Sequence, residues 1–117
     1  EASLVPGELV PDALLRTLKA LSDPTRLRIL RYISEEPLTP SQLSNRLRLR
    51  SSTVVHHLDL LRLATLVQFS IAGHGVERRY SARPEVIAAI FANLEDFLGQ
   101  GESIEPQPIP AQAETPA

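Results

Sequence analysis

Three polar side chains, Ser52, His56 and Asp59, follow one another at spacings of four and three residues. In a helix these spacings place a hydroxyl, an imidazole and a carboxylate on one face, which are the groups of a hydrolase triad. The same groups could hydrogen-bond to base edges of a nucleic acid. A triad also needs oxyanion donors and a pocket that excludes water, and the surrounding residues predict a convex, exposed helix without them. We therefore exclude an enzyme and retain nucleic-acid reading for this face.

The segment before this face carries a clear helix start signal at Thr39. Thr39 can cap a helix, Pro40 fits the first helical position, and Gln42 stands where a capping box requires it. Leu43 and Leu47 then supply apolar side chains four residues apart, which is the spacing of a buried helical stripe. The sequence predicts a short helix from this point.

A second helix, over residues 51–64, is predicted to carry the polar face. Ser51-Ser52-Thr53 offers a cap for it. Its expected buried stripe is Val54, Leu58 and Leu61, and the side chains opposite are Ser52, Thr53, Val55, His56, Asp59 and Arg62. Two helices this short bury little alone, so we expect the pair to dock on a larger core with the second helix outward. Such a pair is a helix-turn-helix, whose second helix usually reads the major groove of DNA.

Two further amphipathic helices are predicted upstream of this pair. The first, over residues 11–21, places three leucines on one side and a fourth beside them: Leu14, Leu18, Leu21 and Leu15. The second begins at Pro24, with Asp23 or Ser22 as its cap. Its expected buried face is Leu27, Leu30 and Ile33, flanked by Ile29 and Tyr32. We expect Arg26, Arg28 and Arg31 to lie on or near its exposed side.

The segment after the helix-turn-helix predicts a β-hairpin. Residues 66–72 alternate apolar and polar side chains and are rich in strand formers. Gly73-His74-Gly75 supplies a turn, and residues 76–81 return as a second strand. A hairpin in this position is a wing. We therefore predict a mainly α winged helix-turn-helix with a small β-hairpin wing, in the order α-α-α-α-β-β-α.

Several side chains of the helix and the wing have alternative roles. His56, on the outer face, is interpreted as a base or phosphate contact, and His57, beside the buried stripe, as a packed or half-buried structural residue. Arg78 and Arg79 point to opposite faces of a strand, so only one projects on a given side, where it could reach the minor groove. Tyr80 could bind a phosphate or pack against the recognition helix, and the sequence leaves both possibilities open.

The formal net charge of −2 conceals a segregation of charge along the chain. Residues 24–84 carry ten arginines and four acids, a net +6, whereas the flanks carry two basic residues and ten acids, a net −8. The basic part coincides with the helix-turn-helix and the wing. The local balance therefore predicts a phosphate-binding surface.

Three segments together resemble the ArsR-type winged-helix repressors. They are Leu21-Ser-Asp-Pro-Thr-Arg-Leu-Arg-Ile-Leu30, then Ser52-Thr-Val-Val-His-His-Leu58 with Leu60-Leu61, and the hairpin ending in Arg78-Arg79-Tyr80. The resemblance covers residues 12–98 and implies a dimeric bacterial or archaeal transcription regulator. The family usually has a small polar residue at the position of Val55 and often a basic or small one at that of Asp59, so no DNA sequence preference carries over. It also has Gly where this chain has Thr65, which predicts that the helix end lacks a left-handed glycine and closes differently.

We therefore predict a sequence-specific DNA-binding transcriptional regulator, a dimeric repressor whose helix 51–64 reads the major groove. The expected DNA-binding residues are Thr39, Ser41, Gln42, Arg50, Ser51, Ser52, Thr53, Val55, His56, Arg62, His74, Arg78 and Arg79. The alternative is a winged helix that has become a protein-interaction module and lost DNA reading. Val55 and Asp59 on the reading face favour this alternative, while the charge segregation and the Ser52-Thr53 start argue against it.

A last helix is predicted from Pro84 to a stop at Gly99, and its apolar face is wider than one small core needs. We expect this helix and helix 11–21 to form a homodimer interface through Leu14, Leu15, Leu18, Ile87, Ile90, Phe91, Leu94 and Phe97. The alternative is that the last helix folds back on its own core. The winged-helix domain then spans residues 11–98, with residues 1–10 as a linker or disordered segment and residues 99–117 as a disordered proline-rich tail. The chain begins with Glu1 rather than methionine, so we expect either a piece of a longer protein or a chain trimmed at its front.

The residue types that a metal sensor of this family would use are missing. The chain has no cysteine, and no histidine lies between Pro84 and Gly99. His56 and His57 point about 100° apart on a helix, so they cannot form a metal pair. We expect neither a metal nor another cofactor, and the inducer or sensor domain stays unassigned. The lack of cysteine and of any long apolar stretch fits a cytoplasmic protein without a membrane partner.

Overall fold

Five helices and a two-stranded antiparallel hairpin make up the part of the chain that the computed structural model describes, residues 9–71 and 75–99. The elements are α1 (Asp12–Leu21), α2 (Pro24–Glu35), α3 (Pro40–Leu47), α4 (Ser51–Leu63), β1 (Val67–Ile71), β2 (Arg78–Ala82) and α5 (Pro84–Leu98). This is the α-α-α-α-β-β-α order of the predicted winged helix-turn-helix, so the fold prediction is confirmed. His74 of the predicted turn, residues 1–8 of the predicted linker and residues 100–117 of the predicted tail lie outside the described residues.

The starts of α2 and α3 follow the predicted capping chemistry. The carboxylate of Asp23 accepts a hydrogen bond from the backbone N–H of Arg26 at 3.0 Å. Thr39 and Gln42 form the capping box, in which the backbone N–H of Gln42 donates to Thr39 Oγ1 at 3.2 Å and the backbone N–H of Thr39 donates to Gln42 Oε1 at 2.9 Å. These bonds satisfy N–H groups that a helix start otherwise leaves without partners.

The start of α4 differs from the prediction, because none of its serines is the cap. Arg50 holds the cap position in an extended conformation, and no side chain accepts from the first turn. The reason is the turn before it, where Arg48 takes a left-handed conformation with φ 59° and reverses the chain within three residues. The Arg50 carbonyl then already accepts from Val54 N–H at 3.1 Å, so the serines fall inside the first turn.

The core is an aliphatic cluster from all five helices and the base of the hairpin. The buried face of α2 differs from the prediction: Ile29 joins Leu30 and Ile33 inside, whereas Leu27 is 50% exposed. The physical reason is that α2 packs against β2 and α4, which rotates its buried stripe toward Ile29. Leu27 is left on an open groove beside α5.

Tyr80 ties the wing to the core. Its side chain is 1% exposed and its ring centroid lies 5.5 Å from that of Phe69. Its backbone exchanges two hydrogen bonds with Leu38, in the connection between α2 and α3, at 2.8 and 3.0 Å. Tyr80 is therefore a packing residue, and the possibility that it binds a phosphate is wrong.

The C-terminal end of α4 closes through a left-handed residue even though no glycine is present. Thr65 has φ 63°, its N–H donates to Arg62 O at 2.9 Å, and the N–H of Leu66 donates to Leu61 O at 3.0 Å. This pair of bonds is the Schellman arrangement that a glycine usually makes. The prediction that this end closes differently is wrong, because Thr65 adopts the left-handed conformation although it carries a Cβ.

We expect Thr65→Gly to stabilise the fold by about 0.5–1 kcal/mol. A side chain in the left-handed region costs about 1–2 kcal/mol, and glycine returns part of that gain through its greater freedom in the unfolded chain. Urea unfolding should show a higher midpoint with an unchanged slope. Thr65→Ala, which retains a Cβ, is the matched control and should recover less than glycine. An alanine variant at least as stable as the glycine variant would contradict this explanation.

Candidate nucleic-acid interface

The first half of α4 presents the predicted polar face to solvent. Ser51, Ser52, Val55 and His56 are exposed, and Thr53 is half-buried. On the inner side Val54, Leu58 and Leu61 are fully buried, as predicted. Because the inner stripe fixes the rotation of the helix, these outer side chains are held toward solvent by the core.

The preceding helix α3 contributes two further exposed side chains, Ser41 and Gln42. Thr39 is different, since it is 4% exposed and its hydroxyl accepts the hydrogen bond from Gln42 N–H. Its side chain therefore holds the start of α3 in place and is not available at the surface. Gln42 uses its carbonyl oxygen in the same box, which leaves its amide nitrogen for another partner.

Two arginines contact the ring of Phe69, where α4 meets the wing. The guanidinium carbon of Arg78 lies 4.3 Å from the centre of the Phe69 ring, and that of Arg62 lies 5.7 Å from it. Both distances are within the range of cation–π contacts. In the strand register Phe69 pairs with Tyr80 and Ser70 with Arg79, so Arg78 and Arg79 lie on opposite faces as predicted. The end of the helix and one face of the wing thus share a positive surface.

The remaining arginines divide into paired and unpaired groups. Arg46 lies 3.3 Å from a carboxylate oxygen of Glu36, and Arg83 lies 3.1 Å from one of Glu85. Within residues 9–71 and 75–99, these are the ion pairs closer than 4 Å. The arginines without such a partner around α4 and the wing are Arg48, Arg50, Arg62, Arg78 and Arg79. Five arginines without a carboxylate partner therefore lie around α4 and the wing.

A polar junction lies behind α4. Arg26, expected on or near the exposed side of α2, is half-buried. Its Nε donates to Ala20 O at 2.7 Å and its Nη2 to Lys19 O at 3.4 Å. Its Nη1 lies 3.2 Å from Nδ1 of His57, so one side chain joins α1, α2 and α4. The guanidinium turns back in this way because the last carbonyls of α1 attract a cation.

His57 is half-buried at this junction, which confirms its predicted structural role. Burial lowers the pKa of His57; the carboxylate of Asp23 opposes this, and the positive charges of Arg26 and His56 add to it. The ring is therefore neutral at neutral pH, and Nδ1 accepts from Arg26. In the same place, the hydrogen bond from Arg26 N–H lowers the pKa of Asp23.

The residues predicted for a dimer interface divide by burial. Leu14 and Ile90 are 5% and 4% exposed and belong to the core of their own chain, while Phe91 is 55% exposed. The others at least partly available are Leu15, Leu18, Ile87, Leu94 and Phe97. Leu27 and Phe91 line one apolar groove of 430 Å³ between α2 and α5. The sequence pattern assigns Leu27 to the buried face of α2 and not to this surface. A signal for its exposure is present, because α2 has more apolar residues than one buried helical stripe can hold.

Among the described residues, no three His, Cys, Asp or Glu side chains cluster as a metal site would require. No helix in these ranges has both the length and the apolar character to cross a membrane.

The chain is similar to known proteins in sequence and in fold. A family model described as a helix-turn-helix domain matches residues 21–68. The HTH-type transcriptional regulator CmtR of Mycobacterium tuberculosis is 37% identical over 87 residues, which cover 74% of this chain and 72% of that protein. The Transcriptional repressor SmtB homolog of Synechocystis is 28% identical over 83 residues, which cover 71% of this chain and 61% of that protein. The solved structure of an ArsR-like transcriptional regulator from Rhodococcus superposes with a TM-score of 0.68 at 28% identity, covering 75% of this chain and 81% of that one.

Proposed function

Because the chain belongs to the family of ArsR-type winged helix-turn-helix transcriptional regulators, we propose that it is a homodimeric repressor that reads the major groove of DNA with α4. Proteins of this family are DNA-binding regulators and not enzymes. The observation that carries the proposal is the coincidence of the exposed face of α4 with the unpaired arginines around it.

In this proposal the first turn of α4 binds both a phosphate and bases. No side chain caps the helix, so its first N–H groups and the positive helix end are available to a phosphate oxygen. Ser52 and His56 face outward, where they can hydrogen-bond to base edges. Val55 is an apolar contact, best matched to a thymine methyl group. The side chains proposed to recognise the DNA sequence therefore all lie on α4.

The surrounding side chains are assigned to the sugar-phosphate backbone and the minor groove. Arg50 stands beside the start of α4, and Arg62 lies with Arg78 around Phe69. From α3, Ser41 and the amide nitrogen of Gln42 are further candidates. His74, outside the described residues, stays a prediction.

The dimer is proposed from the exposed apolar surface of α1, α2 and α5. A two-fold dimer places two recognition helices about 34–36 Å apart, one turn of DNA, and so combines two weak contacts. The SmtB homolog of Synechocystis is named a repressor, which supports repression here.

A regulator works beside the chromosome, and we propose a cytoplasmic location. We also retain the domain bounds 11–98 as a proposal.

Fluorescence anisotropy against genomic DNA fragments at two salt concentrations tests this function. We expect binding that weakens steeply with salt, because each phosphate contact releases a counterion. Arg50→Gln and Arg78→Gln should each lower the slope of log affinity against log salt by about one unit. Arg83→Gln is the matched control, because that arginine is paired with Glu85 and should leave the slope unchanged. Absence of binding at low salt would instead support a protein-interaction module.

A further inference from the structure

A cleft of 260 Å³ lies between the C-terminal parts of α1 and α4, and none of its lining residues belongs to the proposed DNA contacts or dimer surface. Its floor is apolar. Ala20 of α1 is buried there, and Leu60 and Leu63 extend into the wall from α4. Leu63 is 67% exposed, so it offers apolar surface that the described part of its own chain leaves open.

Basic side chains stand around this floor, and no acid of the described part of the chain lines the cleft. Arg16 and Lys19 come from neighbouring turns of α1, and Arg26 comes from the first turn of α2. Within the described ranges, neither Arg16 nor Lys19 has a carboxylate within 4 Å. An apolar floor bordered by three cations is complementary to a molecule with an apolar body and a negative head group.

We propose that this cleft binds a small organic anion of the aromatic carboxylate class. The ring would lie on Leu60 and Leu63, and the carboxylate would face Arg16, Lys19 and Arg26. The volume of 260 Å³ is near the lower end of ligand clefts, about 300 Å³. It therefore limits the occupant to a single-ring compound.

Arg26 connects this cleft to the recognition helix, since its guanidinium lines the cleft and contacts His57 Nδ1 at 3.2 Å. A carboxylate in the cleft competes for that guanidinium, because a charged acceptor forms a stronger hydrogen bond than a neutral imidazole. The bound anion also neutralises positive charge beside α4. Occupancy is therefore expected to weaken DNA binding. This coupling rests on the proposed function, whereas binding of the anion does not.

Amide NMR of the whole chain, titrated with sodium benzoate in the absence of DNA, tests the site. We expect saturable shifts confined to the amides of residues 16–26 and 60–64. Benzyl alcohol, with the same ring and no charge, should bind about tenfold more weakly. The double variant Arg16→Gln/Lys19→Gln should weaken benzoate binding to a similar extent. Arg28→Gln/Arg31→Gln, which removes two charges from exposed positions outside the cleft, is the matched control and should bind like the wild type.

Absence of saturation, shifts elsewhere, or equal affinity for benzyl alcohol would overturn the site. A Leu63→Glu variant that dissociates a dimer and leaves benzoate binding unchanged would identify the cleft as an interface between copies, which also overturns it. The coupling is measured separately, as an expected loss of about fivefold in affinity for a DNA fragment at saturating benzoate. Unchanged DNA affinity in the presence of bound benzoate would refute the coupling alone. Absence of DNA binding without benzoate would count against the proposed function and not against the cleft.

Discussion

A protein carrying Phe91→Glu is expected to be monomeric and to lose about a hundredfold or more of its affinity for an operator. Phe91 is 55% exposed on α5, beside the groove that also contains Leu27. A carboxylate there would lose its hydration in the proposed interface, which opposes association. Without the dimer, the second half-site no longer contributes to binding, and linked sites typically add a factor of about 10²–10⁴. Sedimentation and anisotropy measure the two effects on the same samples.

Ala89→Glu is the matched control for this change. It introduces the same charge at an exposed position of α5, about 200° around the helix from residue 91, and should leave both assembly and DNA binding intact. Ile90 is unsuitable as a test site because it is buried in its own chain, where a charge would unfold the monomer. A wild-type protein that is monomeric at tens of micromolar, or a dimeric Phe91→Glu variant, would contradict the proposed interface.

His56→Ala is expected to cost about 1–3 kcal/mol on the preferred operator and to relax the preference at one base pair. The ring lies exposed on the outer face of α4, so its removal takes away a base contact without disturbing the core. Selection from a randomised operator pool measures the preference, and anisotropy measures the loss. Thermal unfolding of the variant should match that of the wild type.

Arg50→Gln serves as the comparison for His56→Ala. A phosphate contact carries no sequence information, so its loss should weaken all sequences equally and leave the preference profile unchanged. If His56→Ala behaves in the same uniform way, His56 does not read a base. In that case Ser52 and Val55 are the remaining candidates for sequence reading at the start of α4.

The parts of the fold that depend on neighbouring residues could be predicted from the sequence. The capping box of Thr39 and Gln42 lies within four residues, and the buried stripe of α4 follows from helical spacing alone. The serine cap of α4 was predicted wrongly because the left-handed turn at Arg48 moves the helix start by one residue. Such a turn depends on how α3 docks, which spacing does not show.

The candidate site was predictable where side chains act alone and not where they act across helices. His56 is exposed because α4 has one buried stripe, which the sequence displays. The turn of Arg26 toward His57 spans 31 residues of chain, and the exposure of Leu27 follows from the packing of α2 against β2. Both are set by tertiary packing. No helical pattern within one segment contains that information.

The two backbone hydrogen bonds between Leu38 and Tyr80 have a consequence for how DNA would be recognised. Leu38 is adjacent to Thr39, the cap of α3, so the base of the wing and the helix-turn-helix are fixed to one frame. Two contact points at a fixed offset lose little conformational entropy on binding. They also make the DNA the partner that adjusts its bend and groove width. Operators whose base steps deform easily at that offset are then favoured at base pairs that no side chain touches.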